Sequence, residues 1–276
     1  MLSSDGRRIF AVSRCHLRVL FKILLLLLSL HACPSWAREL VRVGAYHFPP
    51  YSIKPESQTL EGLVPELLVL LNQVQDRYRF ELVPTAVSRR YRDFQQGRFD
   101  LILFESPSWG WQNIPMDSVD LQIEDAEVYV AQAQPERDQV YFADLKGKRL
   151  ALYNGYHYGF ADFNADQEYL TQQYNAVLTY SHDSNLLMLL RGRADIAVIT
   201  RSYLRLYLER YPQQNGAFLV SQRVDQMYHH HALLRPQAPL DGQGFADLMQ
   251  RLRSMGQLQP LLDRYYLTMV APQTAD

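Results

Sequence analysis

Gln96-Gly97-Arg98-Phe99-Asp100-Leu101 is echoed further along the chain by Arg191-Gly192-Arg193-Ala194-Asp195-Ile196, in the same order of helix end, glycine, arginine, apolar residue, aspartate, apolar residue. Each glycine suits the left-handed turn that stops a helix. Each aspartate stands where a buried strand opens, a position in which a carboxylate accepts backbone N–H bonds. The echo carries no chemistry, but it marks the same joint in two tandem units.

The pattern repeats outward from both joints. Before the first, residues 40–43 read as a short strand, and Leu63, Leu67, Leu70, Leu71 and Val74 recur at helical spacing. Pro65 falls in that helix's first turn, where its missing N–H is tolerated. Residues 80–83 form a second strand, followed by a helix that Ser88 caps and Gly97 ends; residues 99–104, nearly all apolar, form a strand buried on both faces. After a less regular stretch the cycle restarts with a strand at 149–153, a helix after Gly159, a strand at 177–180, a helix at 184–191 and a strand at 195–200. Strands alternating with helices imply parallel sheets covered by helices, and two cycles imply two sheets. The tail gives a strand at 227–234, a helix from Asp241, a break at Gly256 and a last helix through Tyr266. If the tail packs on the first unit, the chain crosses between lobes twice and forms a two-strand hinge. The fold expected is α/β and two-lobed, each lobe a mainly parallel sheet flanked by helices, with lobe 1 at 38–126 plus 226–276 and lobe 2 at 127–225.

The N-terminus speaks to compartment. Arg7, Arg8, Arg14, Arg18 and Lys22 precede the apolar run 23–30, the order of a secretory signal, and the run is too short to span a bilayer comfortably. The small residues Ser35 and Ala37, flanking Trp36, give a signal-peptidase site ahead of Arg38, so residues 1–37 are read as a signal peptide and the destination as the periplasm. Cys33 permits a rival reading as an acylated lipoprotein cysteine, which His31 fits poorly. Cys15 and Cys33 are the only cysteines, so no disulfide forms within the mature chain, and its stability must come from core burial. With 28 basic and 29 acidic residues the formal charge is −1; without the five basic residues above and Asp5 it is 23 against 28, or −5, which argues against nucleic acid as a partner.

Several further stretches complete the pattern: Val43-Gly44 before Pro49-Pro50-Tyr51, Glu61-Gly62-Leu63-Val64-Pro65-Glu66-Leu67, Gly97-Arg98-Phe99-Asp100-Leu101-Ile102, Asp144-Leu145-Lys146-Gly147-Lys148-Arg149-Leu150, Gly192-Arg193-Ala194-Asp195 and Arg253-Ser254-Met255-Gly256. Each is weak alone. In this order and spacing, over residues 40–267, the chain resembles family 3 extracellular solute-binding proteins, the periplasmic receptors of amino-acid ABC importers. The resemblance implies the type II periplasmic-binding-protein fold, a small-molecule solute, an inner-membrane ABC permease or sensor as partner, and a monomer.

Open parallel sheets bind ligands beyond the carboxyl ends of their strands. That rule nominates Phe48 and Tyr51; Phe104, Glu105 and Trp109; Tyr153, Tyr156, His157 and Tyr158; and Thr200. Tyr228 is added by the family's aromatic on the return strand. Arg89 and Arg90 open a helix and could reach an anion or stay solvated. Glu105, a carboxylate ending a buried strand, needs a cation, from the ligand or from the protein. In amino-acid receptors of the family, an arginine shortly after the strand at 99–104 clamps the ligand carboxylate, but residues 104–112 contain none. The family's ammonium-binding aspartate is replaced by Thr200 and Arg201. Neutral groups in place of a charged clamp would cost a zwitterion roughly 1.5–3 kcal/mol per contact, which argues against an ordinary α-amino acid. In a strand His229 and His231 share one face and His230 the other, so they offer at most two metal ligands; no metal and no cofactor is expected.

A binding module is the leading reading. A periplasmic dehydratase-like enzyme on the same fold would use Glu105 as a cleft acid with a raised pKa, and needs an arginine for the substrate carboxylate. The transglycosylase domain carried by some relatives has no room after Tyr266. A ligand-free interaction protein is the third reading.

Overall fold

In a computed structural model, which describes residues 38–271, the core begins with strand β1 (Glu39–Ala45), flanked by parallel partners β2 (Tyr78–Pro84) and β3 (Leu101–Glu105). The proposed signal segment and Cys33 lie outside the described residues. Helix α1 (Leu63–Gln73) buries Leu63, Val64, Leu67, Leu68 and Leu71 on one face, the spacing that the sequence shows. Gly62 starts it at φ 110°, with the Tyr51 carbonyl only 2.7 Å from where a Cβ would stand, so only glycine fits there. The first N–H groups of α1 donate to the carbonyls of Pro50 and Tyr51, which fixes the loop carrying Tyr51. Helix α2 (Arg90–Gln95) follows β2; Ser88 makes no cap for it, because Arg89 holds the capping position with no side-chain bond.

The second cycle repeats the first. Strands β5 (Leu150–Tyr153), β6 (Ala176–Thr179) and β7 (Ile196–Thr200) are parallel and are joined through α3 (Gln167–Tyr174) and α4 (His182–Leu190). The stretch after Gly159 makes one tight 3-10 turn before α3 begins at Gln167, later than the sequence suggests. Both echoed aspartates do the same work: Asp100 accepts the Arg42 N–H at 3.0 Å, and Asp195 the Arg149 N–H at 2.8 Å. Helix α5 (Arg201–Arg210) follows β7, and α6 (Gly242–Ser254), α7 (Leu258–Arg264) and the short strand β9 (Thr268–Met269) complete the chain.

The expectation of two separate sheets is corrected. The irregular stretch contains a 16-residue strand, β4 (Asp117–Gln132), and the tail strand begins early, making β8 (Phe218–Leu234) 17 residues long. They pair antiparallel and join both parallel groups into one path, β2-β1-β3-β8-β4-β7-β5-β6. At about 3.3 Å per residue each runs about 55 Å, far beyond the strand length one sheet requires. Register shifts interrupt the ribbon between Asp120 and Glu124 and again after Glu127, where bulges bend and twist it. β3 ends with Glu105 opposite His231 on β8, and β7 ends with Thr200 opposite Glu127 on β4. Glu127 itself pairs with Gln226, only five residues from His231. The carboxyl ends of both parallel groups therefore point toward the middle of the ribbon from opposite directions.

Candidate functional site

Aromatic rings fill the space where those strand ends meet. Phe48, from the loop after β1, lies 4.5 Å from Tyr51 and meets Tyr156, from the loop after β5, edge-on at 5.3 Å between centroids. Tyr156 stacks on Tyr153 at 4.4 Å. Trp109 packs edge-on against Tyr228 at 4.9 Å, and Tyr51 stacks on Phe104 at 4.9 Å. Phe104 keeps its place at φ 60°, a strained backbone for a bulky residue, inside the shift of register between β3 and β8. The walls press so closely that the cavity among Tyr46, Phe48, Trp109, Tyr156 and Tyr228 is only about 10 Å³, no more than one water needs. Gly155 permits the approach: at φ +81° its Cβ position lies 2.9 Å from the Val87 side chain across the seam.

The polar groups form three clusters. In the first, Glu105 is fully buried, with Arg90 Nε at 3.4 Å and a hydrogen bond from Trp111 Nε1 at 2.8 Å. Burial pushes the Glu105 carboxyl up, against the pull of Arg90; burial lowers Arg90, but Glu105, Tyr46 and Tyr91 together outweigh it and hold the guanidinium above its usual value. Arg90 also lies over the rings of Tyr91 at 4.3 Å and Tyr46 at 5.1 Å. Across the seam His157 Nε2 stands 3.1 Å from the Tyr91 hydroxyl and 3.4 Å from Arg90 Nη2. His157 Nδ1 bonds the Phe163 carbonyl, and burial takes the imidazole down to about 4, so it is neutral at pH 7.

In the second cluster Tyr51 donates to Asp125 Oδ2 at 2.8 Å and accepts from His230 Nε2 at 2.7 Å. Asp125 also takes the Ser202 N–H at the start of α5 and faces Arg201 Nε at 3.7 Å. The third cluster centres on Glu127, which accepts from the Tyr228 hydroxyl and from Thr200 Oγ1 at 2.8 Å. Burial, foremost, pushes the Glu127 carboxyl up to about 8.

Of the residues nominated from sequence, Phe48, Tyr51, Phe104, Glu105, Trp109, Tyr153, Tyr156, His157, Thr200 and Tyr228 come together here. Tyr158 and Arg89 do not. The Tyr158 hydroxyl bonds the main chain of Tyr153 and its ring stacks on Phe160, so it shapes the turn. Arg89 is exposed beside an open groove of about 780 Å³, while its neighbour Arg90 is 2% exposed and faces the seam. One helical step separates them: Arg90 shares the buried face with Asp93 and Phe94 at i, i+3 and i+4. Asp125, Glu127, His182 and Gln226 were not singled out by sequence. Glu105 finds its cation in the protein. His230 turns inward while His229 pairs with Glu124 and His231 with Ser118, as strand alternation requires.

No family model and no curated protein matches the sequence. Solved structures do resemble it. The substrate-binding protein of an amino acid ABC transporter is similar at TM-score 0.60 and 14% identity, over 82% of this chain and 99% of that one. The ancestral amino acid-binding protein AncCDT-1, a precursor of cyclohexadienyl dehydratase, is similar at 0.60 and 16%, over 82% and 95%. A histidine kinase sensor domain with similarity to periplasmic binding proteins is similar at 0.61 and 19%, over 86% and 99%. At such identities the likeness is one of fold: the chain has the two-lobed type II periplasmic-binding-protein fold.

Proposed function

We propose that the protein is a periplasmic solute-binding protein, capturing a small polar or aromatic solute between lobe 1 (38–126 plus 226–276) and lobe 2 (127–225) for an ABC importer or membrane sensor. The observation that carries this reading is the register of the long ribbon, which aims the carboxyl ends of β3 and β7 at one another over an aromatic seam. Because the seam leaves about 10 Å³, a solute enters only when bending at the β4/β8 bulges parts the walls. Once inside it touches both walls, and this differential contact favours closure. Phe48, Trp109, Tyr156 and Tyr228 form the contact surface, with Arg90, Glu105 and His157 at one end and Thr200 and Glu127 at the other. The arginines of the seam are each matched to a carboxylate, so an ordinary α-amino acid is disfavoured.

The test is a thermal-shift screen of amino acids, amines, aromatic acids and short sugars. A ligand at a hundredfold excess over Kd raises stability by about 2.7 kcal/mol. Hits whose affinity falls in Phe48→Ala and Tyr156→Ala support the reading; a full library without a hit overturns it. Conversion of a hit to product without added cofactor would favour the dehydratase-like alternative, for which the buried carboxyls Glu105 and Glu127 supply the acids.

A further inference from the structure

Three carboxylates are buried and a fourth, Asp225, is half-buried around the middle of the ribbon, and three of the four are matched. Glu105 has Arg90, and Asp125 has Arg201, Tyr51 and two N–H groups. Asp225 accepts the N–H groups of Gly159 and Phe160 and the Tyr129 hydroxyl. Glu127 differs. It is fully buried, both of its hydrogen bonds fall on Oε1, Oε2 has no partner, and no ion pair reaches it among the described residues. A second buried orphan is the Tyr156 hydroxyl, also without a partner, on a ring that lines the seam together with Tyr228, whose own hydroxyl bonds Glu127. Burial, foremost, and then the charges of Tyr153 and Glu127 hold the Tyr156 phenol well above its usual value.

A buried carboxyl without a counter-charge holds its proton because the bare charge is costly there, and a solute bearing a positive charge supplies the partner that lets it ionise. The aromatic faces of Phe48, Trp109 and Tyr228 suit the same charge. A carboxylate on the solute would find both seam arginines already neutralised. Resting on the solute-capture reading, we infer that the ligand is an amine: its ammonium group docks on Glu127 Oε2 beside the Tyr156 hydroxyl, packed against aromatic rings, with no carboxylate clamp.

Docking has a proton balance. The carboxyl of Glu127, held up to about 8, carries its proton at neutral pH. An arriving ammonium keeps its own protons and displaces this one to solvent, leaving a carboxylate–ammonium pair. The groups facing Glu127 are Asp125 on its own strand, Asp225 and Tyr228 from β8, Thr200 from β7, and Tyr156, Tyr158 and Tyr51 from the loops after β5 and β1. His182, behind Thr200, is held down to about 3 by burial and stays neutral.

The experiment uses the purified protein with matched probes: tyramine against 4-hydroxyphenylacetate, and putrescine against succinate, with ribose as a neutral solute. Calorimetry from pH 5.5 to 8 should show binding of an amine, affinity rising about tenfold per pH unit below about pH 8, and release of one proton. Glu127→Gln should lose about 10- to 100-fold in affinity and flatten the pH profile. Tyr156→Phe should bind more weakly but keep the slope. Binding of the carboxylates or ribose in place of the amines overturns the amine assignment and leaves solute capture standing. Amine binding unchanged in Glu127→Gln overturns the role of Glu127. Amines that fail while the wider library gives a hit refute the amine inference alone, whereas a wholly silent library refutes the capture reading as well.

Discussion

Replacing Glu105 with Gln should destabilise the protein more than replacing its partner Arg90 with Met, and the reason lies in what each survivor can do. Arg90 is 2% exposed and Glu105 is fully buried, their charged atoms 3.4 Å apart. Removing one partner of a buried pair typically costs about 3–5 kcal/mol. In Glu105→Gln the guanidinium is stranded and cannot shed its proton, so the loss should fall in that range at every pH from 5 to 8. In Arg90→Met the orphaned carboxyl, already pushed up by burial, takes up a proton. A group whose folded pKa lies above its unfolded value loses stability as pH rises from the unfolded toward the folded value. The Arg90→Met penalty should therefore be small near pH 5 and grow by as much as about 1.4 kcal/mol per pH unit. The double variant should recover part of the Glu105→Gln loss, and Arg89→Ala, on the exposed face, should stay within about 0.5 kcal/mol. Urea unfolding midpoints at constant slope read all four. An Arg89→Ala penalty as large as that of Arg90→Met, or a Glu105→Gln loss below about 1 kcal/mol, would refute the placement of the pair.

Glu127 makes the unliganded protein pH-sensitive: its carboxyl stands near 8 against an ordinary 4.5, so stability present below pH 4.5 is lost as pH climbs through 8. At about 1.4 kcal/mol per unit the loss is on the order of 5 kcal/mol, and Glu127→Gln should flatten the melting-temperature profile over this range. Tyr51→Phe removes the hydroxyl between His230 and Asp125, and should lower stability by about 1–3 kcal/mol in chemical denaturation. Gly155→Ala places a methyl 2.9 Å from Val87 at a positive φ; scattering should show a larger radius of gyration as the seam is forced apart, and an unchanged radius would count against the close approach.

Much of the architecture was legible because it follows from local rules. The echoed aspartates announce strand openings through backbone hydrogen bonds, and the residues of α1 recur at helical spacing. The strand at 101–105 is apolar up to Phe104 because it is buried on both faces. β4 was illegible for a related reason: Glu124-Asp125-Ala126-Glu127 reads as solvated loop, yet Asp125 and Glu127 are buried because Tyr51, Thr200 and Tyr228, distant in the chain, satisfy them. Arg90 carried a signal that could have been used, since it stands four residues before Phe94 on a helix with one buried face.

By itself the sequence determined the two tandem cycles, the aromatic loops beyond their strands and the lack of a clamping arginine at 104–112. These depend on periodicity and residue type within short windows. Tertiary structure alone decided that both cycles share one long ribbon, that Arg90 rather than Arg89 turns inward, and that Glu127 is buried with one oxygen unmatched. Such facts depend on the rotation of a helix, the register of two strands and hydrogen-bond partners far away in the chain, and no local pattern fixes any of them.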